Sequence, residues 1–319
     1  MPKDINITNY TGDINAILSA TPDKNGSAVE KIAWYAVGLH VGSGYENDLY
    51  INGVAVGSAC VPYMALEYAI PEPNTNIQLP IQANSGWFSA GQEVVISWGD
   101  GSANDTVSAT GGSTYIGHTY ASAGTFTIKI SGSLTMYGRS STVDIAGQTL
   151  LTRVDSFGKL GITSFYYAFF RCTRLISVPK TLPSSVTNIQ SMFQSCSGAA
   201  FNPDVSKWDV SNVGNMAYMF RYCSGAAFNP DMKSWTLKTG VSTTSMFLAS
   251  KTQPTTWLDD LLIAWAANPA QGDSITINFS PNKFTADVNG NPSSEVAAAL
   301  AALEAKGWTI ATANPYPAT

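Results

Sequence analysis

Charge is scarce in this chain of 319 residues: Asp, Glu, Lys and Arg make up 12% of it, roughly half the share usual in a globular protein. The 17 basic and 22 acidic residues leave a net charge of −5. No basic stripe occurs that could displace counterions from a phosphate backbone, so a nucleic-acid partner is excluded. No apolar run is long enough to span a bilayer, which excludes membrane insertion as a helix. The amino terminus, from Met1 to Tyr10, lacks the apolar segment and cleavage site of an export signal. Histidine is rarer still, with only His40 and His118, and cysteine is limited to Cys60, Cys172, Cys196 and Cys223. What is abundant is Gly, Ser, Thr, Asn, Ala and aromatic residues. That mixture suits stacked β-structure made soluble by hydroxyls and amides, and the length suits two or three domains.

The strongest positive signal is a repeat. Cys196-Ser-Gly-Ala-Ala-Phe-Asn-Pro-Asp204 recurs 27 residues later as Cys223-Ser-Gly-Ala-Ala-Phe-Asn-Pro-Asp231. Met192 and Phe193 recur as Met219 and Phe220, Phe201 as Phe228, and Trp208 as Trp235. Weaker copies flank the pair, with Phe169 and Cys172 on one side and Met246, Phe247 and Ser250 on the other. A fixed period of this length predicts stacked turns, each unable to bury its apolar face alone. Phe169, Cys172, Met192, Phe193, Cys196, Phe201, Trp208, Met216, Met219, Phe220, Cys223, Phe228, Trp235, Met246 and Phe247 are the expected core of that stack. The Cys172–Cys196–Cys223 series is expected to form a ladder of inward thiols whose Cβ vectors run parallel, a geometry that disfavours disulfides. Tyr166, Tyr167, Tyr218 and Tyr222 flank the core positions. They form a candidate binding face, because tyrosine gives contact area at small entropic cost; packing into the core is the alternative.

Upstream, residues 1–84 read as a β-rich attachment or oligomerisation module. Residues 32–39 have the composition of a strand, Asn52-Gly53 between apolar residues signals a hairpin, and residues 71–76 read as a turn. From 85 to 133, Trp98-Gly-Asp-Gly101 followed by His118-Thr-Tyr-Ala-Ser-Ala-Gly-Thr-Phe-Thr-Ile128 resembles the PKD family of immunoglobulin-like β-sandwiches. The Asp-Phe pair that often precedes the Gly-Asp-Gly turn is missing here. That resemblance implies a rigid spacer or adhesive module. Residues 134–250 then hold a connector and the repeats. Val210-Ser-Asn-Val213, Met216-x-x-Met219-Phe220, Cys223, Phe228-Asn229 and Trp235 resemble the BspA-type, leucine-rich-like repeats of bacterial surface proteins.

Residues 251–319 read as an α/β cap for the open end of the stack. Thr256 and Asp259 suggest a capping box, Trp257, Leu261, Leu262 and Trp265 a helical stripe, and residues 274–279 a strand. Ser293 or Ser294 opens a second helix that Gly307 closes, and residues 308–311 supply a last strand. This ending resembles that of phage-encoded BspA-like proteins. The fold class expected is therefore mainly β and multidomain, ending in a short solenoid with an α/β cap.

No catalytic constellation emerges from the residues. His118 with Asp100 and a serine is conceivable as a triad, yet His118 sits in the sandwich motif, and no nucleophile elbow is present. Asp100 to Asp105 and Asp287 to Asn291 place oxygen ligands at alternate positions. Neither continues into a calcium loop, which needs Gly at position six and Glu at twelve. No metal or cofactor is expected, and no enzymatic activity. The composite expectation is a structural protein of a phage virion, a tail fibre, tail-tip part or capsid decoration, that displays the repeats for contact with a host-surface glycan or protein. Its amino-terminal region would bind other virion proteins or sister chains in a homo-oligomer. The alternative is a bacterial cell-surface adhesin, which the missing export signal disfavours.

Overall fold

A computed structural model of the chain describes residues 5–7, 12, 14–19, 24–25, 27–33, 49–51, 54–55, 61–287 and 290–313. The structure is mainly β, with 23% strand against 14% helix. Near the amino terminus β1 (Ile5–Ile7) pairs in parallel with β2 (Leu49–Ile51), and β2 pairs antiparallel with β3 (Val54–Ala55). The Tyr50↔Ala55 and Ile51↔Val54 register is the hairpin that Asn52-Gly53 signals. Two short helices, α1 (Ile14–Ser19) and α2 (residues 28–33), accompany these strands.

The strand expected over 32–39 needs correction at its start, since Ile32 and Ala33 close α2; residues 34–39 and Cys60 lie outside the described residues. A capping box explains the helix. Ser27 Oγ accepts from Glu30 N while Ser27 N donates to Glu30 Oε2 at 2.7 Å, so two otherwise orphaned amides are satisfied together.

The sandwich is larger than its motif suggests. Seven strands follow: β4 (Met64–Ile70), β5 (Thr75–Gln82), β6 (Glu93–Ser97), β7 (Asp105–Ser108), β8 (Tyr115–Tyr120), β9 (Gly124–Gly132) and β10 (Leu151–Phe157). One antiparallel sheet has the order β10-β4-β9-β6-β7, and β5 pairs with β8 in a second. Sheet pairing therefore crosses both expected boundaries. Leu66 faces Ile128 across the break placed at 84/85, and Val154 faces Leu66 across the one placed at 133/134. Neither flanking strand carries a family motif, which is why motif-based limits fell inside the sheet. Met64, Leu66, Ile77, Leu79, Val94, Ile96 and Ile130 are all fully buried, and the apolar core that they begin runs unbroken to Trp308.

The Trp98-to-Tyr120 motif has a structural use. Tyr120 Oη donates to Trp98 O at 2.9 Å, and Trp98 Nε1 donates to Asp105 Oδ2 at 2.8 Å. The His118 ring stacks on Trp98 with centroids 4.8 Å apart. Asp100 Oδ2 lies 2.7 Å from His118 Nε2, while Asp100 Oδ1 accepts from Ser102 N and from Ser102 Oγ at 2.6 Å. The carboxylate stands between serine and histidine, so these three do not form a serine–histidine–aspartate relay.

Desolvation pushes the Asp100 carboxyl up, but the hydrogen bonds from Ser102 and His118 outweigh it and hold the group at about 2, below the usual 3.8. A carboxyl depressed in the folded state stabilises above its unfolded pKa and loses that contribution as pH falls through its folded one. Denaturant titrations at pH 7, 4, 3 and 2 should therefore show stability dropping between pH 4 and about 2. In Asp100→Asn that drop should be shallower; an unchanged pH dependence would remove Asp100 from its causes.

Beyond β10 the chain makes four turns whose backbones join through the parallel bridges Ser164↔Asn188, Asn188↔Asn215 and Asn215↔Ser242, while Met136↔Ser164 ties the first turn to the segment before β10. The α/β segment follows, with α3 (Thr255–Ala267), β11 (Thr276–Asn278), α4 (Ser294–Ala305) and β12 (Thr309–Ala311), the two strands pairing in parallel. Ser293 caps α4 by accepting from Val296 N, and Gly307 follows with φ 78. The capping box expected at Thr256 and Asp259 does not form. Pro254 is the N-cap of α3, and Asp259 Oδ1 instead accepts from Thr285 N at 2.9 Å, tying α3 to the loop after β11.

Candidate functional site

The stacked turns are held by three parallel systems of contacts. The first is an aromatic column: Phe169, Phe193, Phe220 and Phe247 stack ring on ring, with centroids 5.8, 6.0 and 5.9 Å apart. The column continues to Phe279 at 5.6 Å, and a second, shorter one joins Phe201 to Phe228 at 6.0 Å. Met192, Met216, Met219 and Met246 are buried around it. The second system is made by indoles. Trp208, Trp235 and Trp265 donate Nε1–H at 2.9 Å to the carbonyls of Pro179, Val205 and Met232, each one turn back.

The third system is the cysteine ladder. Cys172, Cys196 and Cys223 are free and buried. Cys196 Sγ donates to Phe169 O at 3.0 Å and Cys223 Sγ to Phe193 O at 3.1 Å, both on the preceding turn. Burial pushes the Cys172 thiol up to about 12 and the other two up as well, so the protonated donor form prevails. In the fourth turn this slot is Ser250, whose buried Oγ has no hydrogen-bond partner. The longer C–S bond should let Ser250→Cys reach the carbonyl one turn back. Removing an unsatisfied buried hydroxyl should then raise stability by about 1 kcal/mol, read as a higher thermal midpoint; a lower midpoint would mean that the slot cannot take sulfur.

On the outer side of the column the same residues build a ledge. Phe165, Tyr167, Phe169 and Arg171 donate backbone N–H to Asn188, Gln190, Met192 and Gln194; Ile189, Ser191, Phe193 and Ser195 donate to Asn215, Ala217, Met219 and Arg221; Met216, Tyr218, Phe220 and Tyr222 donate to Ser242, Thr244, Met246 and Leu248. These distances fall between 2.7 and 3.1 Å. Alternate residues close local turns instead, as Ala168 N to Phe165 O and Cys172 N to Phe169 O do.

To hold this ribbon each turn places two residues in the left-handed region: Tyr167 and Arg171, Ser191 and Ser195, Tyr218 and Tyr222, Ser245 and Ala249. All eight are non-glycine, at a cost of roughly 1–2 kcal/mol each. The side chains so placed alternate in size. Bulky Tyr167 and Arg171 precede Ser191 and Ser195, then bulky Tyr218 and Tyr222 precede Ser245 and Ala249.

The four tyrosines anticipated from sequence therefore lie on this ledge, in its first and third turns. Tyr166, Tyr167 and Tyr218 are half-buried, and Tyr222 is 43% exposed. Tyr166 and Tyr167 meet edge to face at 4.6 Å. Sequence reasoning missed the polar residues between them. Arg221 lies over the rings of both Tyr218 (5.3 Å) and Tyr222 (4.7 Å), and its Nη2 donates to Tyr222 Oη at 3.0 Å. One turn back, Gln194 is 6% exposed with Oε1 unpartnered, Ser191 is fully buried with Oγ unpartnered, and Arg221 Nε is likewise unsatisfied. The available signal was spacing, since Gln194 and Arg221 stand 27 residues apart like the rest of the repeat.

In each of the two strings of alternating oxygen residues the first carboxylate closes its own turn. Asp287 Oδ1 accepts from Asn291 N at 2.9 Å, as Asp100 does from Ser102. Among the described residues no group of three or more His, Cys, Asp or Glu side chains converges, and no helix is long and apolar enough to cross a membrane.

Residues 163–259, which hold all four turns of the ledge, match the protein family described as "Mycoplasma protein of unknown function, DUF285". No curated protein and no solved structure matches the chain.

Proposed function

We propose that this protein is a non-enzymatic display protein, a structural component of a phage virion such as a tail fibre, tail-tip part or capsid decoration, whose stacked turns contact a host-surface glycan or protein. One observation carries the reading. An unbroken column of buried rings braces a ledge on which tyrosine and arginine occupy backbone positions that glycine would fill at lower cost. The same strain falls on Ser and Ala in turns two and four, so it is the bulk and chemistry of Tyr and Arg at these positions that support a binding use. The repeats are read as a BspA-like solenoid, an assignment supported by the family match over residues 163–259. The sheets of β4 to β10 are read as a PKD-like spacer, and the part of residues 1–84 that precedes β4 as the segment that binds other virion proteins or sister chains in a homo-oligomer. The virion setting is favoured by the likeness of the cap, with its closing Gly307-Trp308-Thr309-Ile310, to that of phage-encoded proteins.

A second reading, a bacterial cell-surface adhesin, is favoured by the bacterial description of the matching family. Immunogold labelling with antibody against residues 161–319 separates the two settings, with label on particles expected here and label on cells alone favouring the adhesin. Deleting residues 161–319 should abolish adsorption to host cells. Undiminished adsorption would reduce the array to decoration.

A further inference from the structure

Resting on the reading of the ledge as a binding face, we infer that it takes an anionic glycan, with Arg221 holding the carboxylate or phosphate while Tyr218 and Tyr222 pack against the sugar ring. The charge argument comes first. Three arginines lie over aromatic rings of these turns, Arg139 and Arg171 over Phe170 and Arg221 over Tyr218 and Tyr222. Arg139 is 1% exposed and spends Nη2 on Phe170 O, and Arg171 is paired with Asp144 at 2.8 Å. Arg221 is half-buried and takes part in none of the ion pairs among the described residues; its contacts are two tyrosine rings and one phenol oxygen. A guanidinium held in place and lacking a counter-charge matches a carboxylate or phosphate in both charge and shape.

The shape argument agrees. Turns one and three raise aromatic ridges two turn-spacings apart, each spacing about 4.8 Å as between bridged neighbouring strands. The second turn between them is low and polar, with Gln190 and Ser195 half-buried. Arg221 uses only Nη2 in a side-chain hydrogen bond, to Tyr222 Oη, so the rest of its outer guanidinium edge remains for an anion. A peptide fits less well. The alternate N–H groups of the first three turns are consumed by the next turn's carbonyls, so no strand can add along them.

Full-length protein and its Arg221→Gln and Arg221→Lys variants should be titrated against four polymers: a polyuronate, the same polymer with its carboxyls reduced to alcohols, a phosphorylated polysaccharide, and polyglutamate. Tight binding is expected to the polyuronate, the phosphorylated polysaccharide or both, and which one is bound identifies the source of the anion. Affinity for the reduced polymer should be at least tenfold weaker than for the anionic polymer that binds. Arg221→Gln should lose at least tenfold, with Arg221→Lys between it and the parent. Thermal midpoints within a few degrees of the parent's show that both variants are folded; should Arg221→Gln not fold, Arg221→Lys with the reduced polymer decides.

Equal binding of charged and reduced polymers, an unimpaired glutamine variant, or tighter binding to polyglutamate would each overturn the inference. A competition assay separates its failure from that of the display reading. If parent and Arg221→Gln block adsorption to host cells equally, the ledge's anion specificity is wrong while display survives. If neither blocks adsorption, the display reading falls and takes this inference with it.

Discussion

Phe220→Ala should lower the unfolding free energy by about 3–5 kcal/mol, the range for truncating a fully buried aromatic ring. Phe220 is 0% exposed and touches the column on three sides, at 6.0 Å to Phe193, 5.9 Å to Phe247 and 5.4 Å to Phe228. The cavity cannot close by local collapse, because its walls are turns fixed by four backbone hydrogen bonds on either side. Phe220→Leu keeps most of the volume and should cost much less. The same truncation at Tyr222, 43% exposed on the ledge, should cost about 1 kcal/mol or less, since surface changes seldom exceed that. Urea unfolding of the three variants checks the ranking. Equal losses at Phe220 and Tyr222 would mean that the column does not bear on stability.

That contrast between column and ledge also marks what could be read before any coordinates. Column residues announce themselves because the hydrophobic effect repeats one side-chain type at one spacing. Hence Phe193 and Phe220, Cys196 and Cys223, and Trp208 and Trp235 were all evident as pairs. The α4 cap at Ser293 and the stop at Gly307 were equally legible, being local chemistry. The ledge was not. Its eight left-handed positions carry Tyr, Arg, Ser and Ala, none of which signals positive φ as Gly or Asn would. The conformation is imposed by the next turn's carbonyls and not by the residue itself.

Sheet limits were hidden for a related reason. β4 and β10 carry no distinguishing motif, and their pairing partners lie on the far side of 50 or more residues. The Asp259 capping box failed because a tertiary acceptor need, Thr285 N, outbid the local one.

Gly225→Ala should be nearly as damaging as losing a core ring, although it adds only a methyl group. A Cβ at Gly225 would overlap the carbonyl oxygen of Gly198, and one at Gly198 would overlap the carbonyl oxygen of Thr173. The repeated Ser-Gly-Ala phrase thus marks where consecutive turns touch backbone to backbone. Neither glycine has positive φ, so the requirement is for space and not for a special conformation. A side-chain clash can be relieved by a rotamer, but this one is relieved only by parting the turns. Parting them would break the bond from Ala227 N to Ala199 O at 2.9 Å and that from Asn229 N to Asn202 Oδ1 at 2.9 Å.

Overpacking of this kind costs about 1–3 kcal/mol and more where backbone must move, so a loss at the top of that range is expected. Gly240 supplies the control, having φ 65 and nothing within 4 Å of an added Cβ. Gly240→Ala should cost only its backbone strain, about 1–2 kcal/mol. Denaturant unfolding of both variants orders the two effects. If Gly240→Ala proved the more damaging, conformation and not contact would govern the glycines of this array, and the turns would have to be spaced more widely than the stacked rings imply.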